Sequence, residues 1–187
     1  AEFKTQKLTK GSITETITAS GIINPISTVS IGTQVSGTIA EIYVDYNSEV
    51  KKGQLLALID PDMFAATLAQ RTAALEIAKA EVDVVKNDIV YYQKHLERIQ
   101  KLKASNYSTD KELESAQRDY DNAVVQLALK EAQVKQADAA MQYAQTELNY
   151  TKIESPVDGI VISKSVEVGQ TVAASFSTPE LFSVAED

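Results

Sequence analysis

The chain has 187 residues, of which 44% are hydrophobic and 24% charged, a net charge of −8 and no cysteine. That length allows one ordinary domain or two small ones, and no apolar run approaches the ~20 residues of a membrane-spanning helix. The acidic balance argues against nucleic acid as a partner, since phosphate neutralisation needs clustered Lys and Arg. Without cysteine there is no disulfide, no thiolate metal site and no cysteine nucleophile, which leaves the compartment open.

In chain order, the opening stretch AEFKTQKLTKG is charged and polar with no apolar core of a signal peptide, so the expectation is either a cytoplasmic chain or a leader already removed. From Gly11 to about Asp60 short β-type runs alternate with turn residues: Ile13, Thr16 and Ile17 before Ser20-Gly21, Val29 and Ile31 before Gly32, Ile39, Ile42 and Val44 before Asn47, and Leu55 to Ile59 before Asp60-Pro61. Between Pro61 and Pro156 neither Gly nor Pro occurs, and Ala, Glu, Lys, Gln and Leu dominate, the composition of long helices. After Ser155-Pro156 the β-type pattern returns through Ile160, Val166, Val172 and a last run Leu181 to Val184.

Start signals divide the middle into two helices, about 61–104 and 109–149. Asp60 caps the first, with Pro61 at the first helical position and Asp62 complementing the positive end of the dipole. Thr109 with Glu112 three residues on forms a capping box for the second, leaving a turn through Ser105 to Ser108. Apolar positions step by alternating fours and threes, from Phe64, Leu68 and Leu75 to Leu96 and Ile99, and from Leu113, Ala116 and Tyr120 to Ala144 and Leu148. This is the 3.5-residue period of a coiled coil. Folded at the turn, the lists pair Ile99 with Leu113, Leu96 with Ala116, Tyr92 with Tyr120 and Phe64 with Leu148, often setting a large side chain against Ala. Two layers contain a charge, Arg71 with Met141 and Lys130 with Val82; both cations are expected to reach the rim along their aliphatic stems.

The two β-type segments repeat each other. VSGTIAEIYVDYNSEV at 35–50 and VDGIVISKSVEVGQTV at 157–172 align without a gap, with Val35 on Val157, Gly37 on Gly159, Ile39 on Val161, Val44 on Val166, Asn47 on Gly169 and Val50 on Val172. A hairpin with equal arms returns the chain to where it left, so the repeat is read as two halves of one β-module. The fold expected is α+β, a long antiparallel α-helical coiled-coil hairpin inserted between the two halves of a lipoyl/biotinyl-like β-sandwich. Its parts are an N-terminal strand segment over 1–30, a split sandwich over 31–60 and 150–187, and a hairpin over 61–149 with its tip near 103–109.

Such a split module resembles the periplasmic adaptor, or membrane fusion protein, family of bacterial efflux and secretion systems. The residues that carry the resemblance are Val35-Ser36-Gly37, Val50 to Leu56 and Ile59-Asp60-Pro61 on one side, and Tyr150 to Ile153, Ser155 to Gly159 and Gly169 to Val172 on the other. Gln170 to Ala174, followed by Thr178-Pro179 and Leu181, is most similar to adaptors of the MacA type. The resemblance implies a non-catalytic subunit without a cofactor, attached to the inner membrane in the periplasm. It would bridge an inner-membrane transporter, of ABC type, to a TolC-like outer-membrane channel, within a hexameric ring that exports drugs or other small molecules. An RND-type pump or a secretion system is the alternative.

The family carries Arg, Leu four residues on and a hydroxyl beyond the turn where the duct is met. Arg98 and Leu102 match that spacing, and the hydroxyl falls on Thr109 with Ser108 beside it, the choice staying open. The resemblance also implies that Gln170 faces the central channel. Full adaptors continue into a β-barrel and a membrane-proximal domain, so a chain stopping at Ala185-Glu186-Asp187 is expected to be a fragment, with residues 4–30 a strand lacking its neighbours.

Plainer readings stand beside these. Arg98 reads equally as a solvated helix residue and Leu102 as a cover for the last turn. His95, the one histidine, reads as a solvated helix residue and cannot make a typical zinc site without Cys. The carboxylates sit at salt-bridge spacing on helix faces, and no Gly-rich phosphate loop or assembled Ser-His-Asp set is visible. A carrier domain would need a lysine at Ile59-Asp60-Pro61, where there is none, and a bare coiled-coil spacer has no reason to split a β-module.

Overall fold

A computed structural model describes residues 1–20, 27–174 and 180–186. Among the described residues, eight strands and two helices follow in the order β1 (Thr28–Gly32), β2 (Gly37–Ile42), β3 (Glu49–Val50), β4 (Leu55–Ile59), α1 (Asp62–Ala104), α2 (Asp110–Tyr150), β5 (Lys152–Glu154), β6 (Gly159–Lys164), β7 (Thr171–Val172) and β8 (Glu180–Glu186). The strands make two four-stranded antiparallel sheets, β1-β8-β6-β3 and β5-β4-β2-β7. Each sheet takes strands from both sides of the hairpin. The inward residues, among them Ile39, Leu56 and Ile59 from the first half and Val161, Leu181 and Val184 from the second, form one core.

The repeat is a two-fold relation of the whole sandwich. Gly37 pairs with Val172 and Thr38 with Thr171; their counterparts Gly159 and Ile160 pair with Val50 and Glu49. The Ile39 amide donates to the Gln170 carbonyl at 2.9 Å and the Val161 amide to the Ser48 carbonyl at 3.0 Å. Buried Thr33 and Ser155, again counterparts, each donate a hydroxyl to the carbonyl two residues on, Val35 and Val157, at 2.7 Å. The turns match too: Asn47 at φ 65° and Gly169 at φ 85° are the left-handed residues of equivalent positions, a conformation open to Asn and Gly. The relation continues beyond the stretch legible in the sequence. β1 corresponds to β5 and β4 to β8, with β8 displaced by three further residues: Ile59 opposes Ile39 where Val184 opposes Val161.

This places β1 inside the sandwich. Residues 28–30, assigned from the sequence to the N-terminal segment, pair with β8 from Thr28 opposite Ala185 onward. Residues 1–20, read as partly β, carry no strand and are exposed throughout, Ile13 at 98%; a strand forms only where a ladder partner satisfies its backbone. Gly21 of the expected Ser20-Gly21 turn, and Thr178-Pro179, lie outside the described residues.

The hairpin joins the sandwich without a flexible link. Asp60 Oδ1 accepts the Asp62 amide at 3.1 Å, and the Ala65 amide reaches the Pro61 carbonyl at 2.8 Å, so the helical turn begins at Pro61 although α1 proper starts one residue later. At the other foot buried Thr151 donates its hydroxyl to the Leu148 carbonyl at 2.7 Å and its own carbonyl accepts the Ile59 amide at 2.8 Å. Phe64 packs against the sandwich core. Along the hairpin every residue of the two apolar series is buried or half-buried except Arg71, which is exposed. Large side chains are buried on α1 (Leu75, Val82, Leu96) and alanines on α2 (Ala116, Ala123, Ala144), so the helices approach closely. Lys130 reaches Glu81, the neighbour of its expected partner Val82, at 2.6 Å with both groups partly exposed. That is an ion pair on the rim, as its aliphatic stem permits.

Candidate functional site

The tip of the hairpin lies about 60 Å from the sandwich, the length of a 43-residue helix. α1 ends there in a Schellman turn: the Asn106 amide donates to the Lys103 carbonyl at 2.9 Å and the Tyr107 amide to the Leu102 carbonyl at 2.9 Å. The turn requires a left-handed residue, and Asn106 supplies it at φ 60°. α2 starts in the expected capping box. Thr109 Oγ1 accepts the Glu112 amide at 3.3 Å, and the Thr109 amide donates to Glu112 Oε2 at 2.8 Å.

Glu112 gathers the tip. Its Oε2 also accepts the Ser108 hydroxyl at 2.8 Å and the Thr109 hydroxyl at 3.0 Å. The Thr109 amide and then the two hydroxyls hold this carboxyl below the usual carboxylate range. Lys103 and Asp110 close the turn from its two sides at 2.7 Å, within one residue of the register expected from the seam.

The sequence-derived residues therefore separate into two kinds. Arg98 is exposed and Leu102 is 40% exposed on the last turns of α1. Thr109 and Ser108, between which the sequence did not choose, are both engaged with Glu112. Tyr107, singled out by no motif, is 83% exposed at the apex. The one local signal for it was an Asn standing two residues after the end of the helix.

Gln170 is part of the sandwich, not of the tip. It closes the turn 167–170, its Oε1 accepting the Glu167 amide at 3.1 Å and its own amide donating to the Glu167 carbonyl at 3.1 Å. Its counterpart Ser48 does the same for Asp45 through Oγ, also at 3.1 Å. The side chain is exposed, so its amide NH2 is accessible while its oxygen holds the turn. Where a carrier domain presents a lysine, between β4 and β5, the chain has Asp60 and Pro61 and then the hairpin.

Comparison with known proteins gives the same outline. Residues 27–182 match the family described as "RND MFP, barrel-sandwich hybrid domain". The macrolide export protein MacA of Yersinia pestis is 30% identical over 191 residues, covering 98% of this chain and 50% of that protein. The pyoverdine export membrane fusion protein PvdR of Pseudomonas aeruginosa is 29% identical over 184 residues, covering 98% of this chain and 47% of its own length. The crystal structure of MacA from Actinobacillus actinomycetemcomitans superimposes with a TM-score of 0.82 at 38% identity, over 87% of this chain and 50% of that one. The chain thus spans about half the length of the curated relatives it matches. A sandwich built from both sides of a coiled-coil hairpin, matched over nearly its whole described length, makes this chain a member of the membrane fusion protein family of periplasmic adaptors.

Proposed function

We propose that this chain is the sandwich-and-hairpin part of an adaptor that links an inner-membrane transporter of the ABC type to a TolC-like outer-membrane channel, for export of drugs or other small molecules. The observation that carries the proposal is a stiff lever: two helices rooted in a closed β-core hold a shaped, exposed turn about 60 Å away. Such a device does its work through geometry, by holding two partners in register. The ABC assignment rests on similarity to the macrolide export protein of Yersinia pestis across 98% of this chain. The wording of the matched family, which names RND adaptors, supports the second reading of an RND-type transporter.

The sides of the hairpin fit a ring of copies, hexameric as the resemblance implies. Ile77, Val84 and Tyr91 recur at seven-residue steps on α1, and Leu129 and Tyr143 stand fourteen apart on α2, all of them exposed. The α1 set is an outward seam of the same period as the buried one, and with the exposed apolar positions on α2 it suits side-by-side packing of hairpins. In this arrangement Gln170 faces the central channel, and Arg98 and Leu102 contact the outer-membrane channel. Copurification of the full-length protein with each class of transporter from its own membrane tests the partner. Recovery of neither an ABC nor an RND transporter, with the protein expressed and folded, refutes the adaptor reading; recovery of an RND transporter alone refutes the ABC assignment.

A further inference from the structure

We infer that Tyr107 is the anchor of the tip contact, and that the hydroxyls of Ser108 and Thr109 position it from inside instead of touching the partner. The inference rests on the adaptor reading above and deepens it. Tyr107 is the most exposed tyrosine among the described residues, at 83%. Yet its backbone is fixed, because the amides of Ser105, Asn106 and Tyr107 all donate back to carbonyls of α1. A large ring held outward on a rigid turn contributes nothing to the core of the isolated chain, and it binds without the ordering cost of a flexible loop. Both hydroxyl protons beside it are directed at one oxygen, Glu112 Oε2, and the Thr109 oxygen accepts the Glu112 amide. The hydroxyls are thus engaged within the tip.

Charge identifies the surface that this tip fits. The two carboxylates of the first turn of α2 are compensated internally, Asp110 by Lys103 at 2.7 Å and Glu112 by its cap. Among the described residues Arg98, Lys101 and Lys111 make no ion pair. The tip thus presents an exposed phenol ring and Leu102 within a stretch that carries three unpaired cations, Arg98, Lys101 and Lys111, on a chain whose net charge is −8. The partner is a protein surface with an apolar notch wide enough for the ring and carboxylates on its edge.

The test uses the full-length protein in cells lacking the resident adaptor, with expression checked by immunoblot. Tyr107→Ser is expected to lower export about tenfold with the helix content unchanged, the size of a hot-spot loss. A photo-crosslinking residue at 107 is expected to label the outer-membrane channel, and one at Tyr143, on the side of the hairpin, is not. Thr109→Ala is expected to weaken export and the thermal stability of the tip together, and Thr109→Asn, which keeps an acceptor for the Glu112 amide but has no hydroxyl, to restore both. If Arg98→Asp abolishes export while Tyr107→Ser leaves it intact, Tyr107 is not the anchor and docking at the tip survives. If neither substitution matters, docking at the tip fails as well. If Thr109→Asn is as defective as Thr109→Ala although the cap is retained, the hydroxyl itself meets the partner and its positioning role is overturned.

Discussion

Gly37 and Gly159 are related by the two-fold of the sandwich, yet replacing each by alanine should have different consequences. A methyl group at Gly37 would crowd Cγ2 of Ile59, a fully buried β-branched side chain that is stiff about its first torsion and can give way only by a small shift within the core. At Gly159 it would run into the backbone carbonyl of Ala185 on the paired strand β8, which cannot move without breaking the β6-β8 ladder. Neither glycine has a positive φ, so backbone strain plays no part and alanine gains about 0.4–1 kcal/mol by restricting the unfolded chain. Overpacking costs about 1–3 kcal/mol, the middle of the range where a buried side chain must shift and the high end where backbone must. The net expectation is a loss of about 1 kcal/mol for Gly37→Ala and of about 2–3 kcal/mol for Gly159→Ala. At ~2–4 °C per kcal/mol for a chain of this size, the second variant should melt about 4–12 °C lower than the parent and the first about 2–4 °C lower. Thermal unfolding followed in the far-ultraviolet circular dichroism measures both. If Gly37→Ala is as damaging as Gly159→Ala, the distinction between yielding side chain and fixed backbone is wrong.

Further expectations follow from the hairpin. Asn106→Ala should cost about 1–2 kcal/mol through its left-handed conformation and Asn106→Gly should not, a contrast that urea denaturation resolves. Leu96→Ala, which opens a gap against Ala116 in the seam, should cost about 2–5 kcal/mol, whereas exposed Arg71→Ala should change stability by under about 0.5 kcal/mol. Because the folded-state value of Glu112 is depressed, its contribution to the cap is complete above the ordinary glutamate value and is lost as pH falls through the lowered one. Protection of the Thr109 amide, measured against its intrinsic exchange rate at each pH, should therefore hold at mild acidity and fall only below the usual carboxylate range, and loss already at the ordinary glutamate value would contradict the hydrogen-bonded geometry.

The helices were legible because their determinants are local. A cap at Thr109, a Pro at 61, the absence of Gly and Pro between 61 and 156 and a 3.5-residue apolar period act within a few turns of the chain, and the buried series follows them nearly residue for residue. The repeat was legible where backbone demands are strict, at Gly37 and Gly159, at Asn47 and Gly169, and along the alternating valines and isoleucines. It was not legible in β4 and β8, where three added residues break the alignment and the paired positions differ in volume, Ala57 opposite Ile153 where Phe182 stands opposite Ile31. Nor was β1 separable from the exposed stretch before it, since both carry spaced β-branched residues and only β8 distinguishes them.

The candidate site divides along the same line. Arg98, Leu102 and the hydroxyl pair stand out only because they match the pattern that the family resemblance implies, and such a match says nothing about where a hydroxyl proton goes. The convergence of Ser108 and Thr109 on one oxygen of Glu112, and the outward presentation of Tyr107, follow from the way two helix ends meet across the turn. The sequence by itself determined the lever and the two halves of its root, because period, caps and turn residues act over short range. Which strands share a sheet, which end residues are saturated internally and which stand free were decided only by the tertiary structure, because pairing and exposure depend on segments more than a hundred residues apart being brought together.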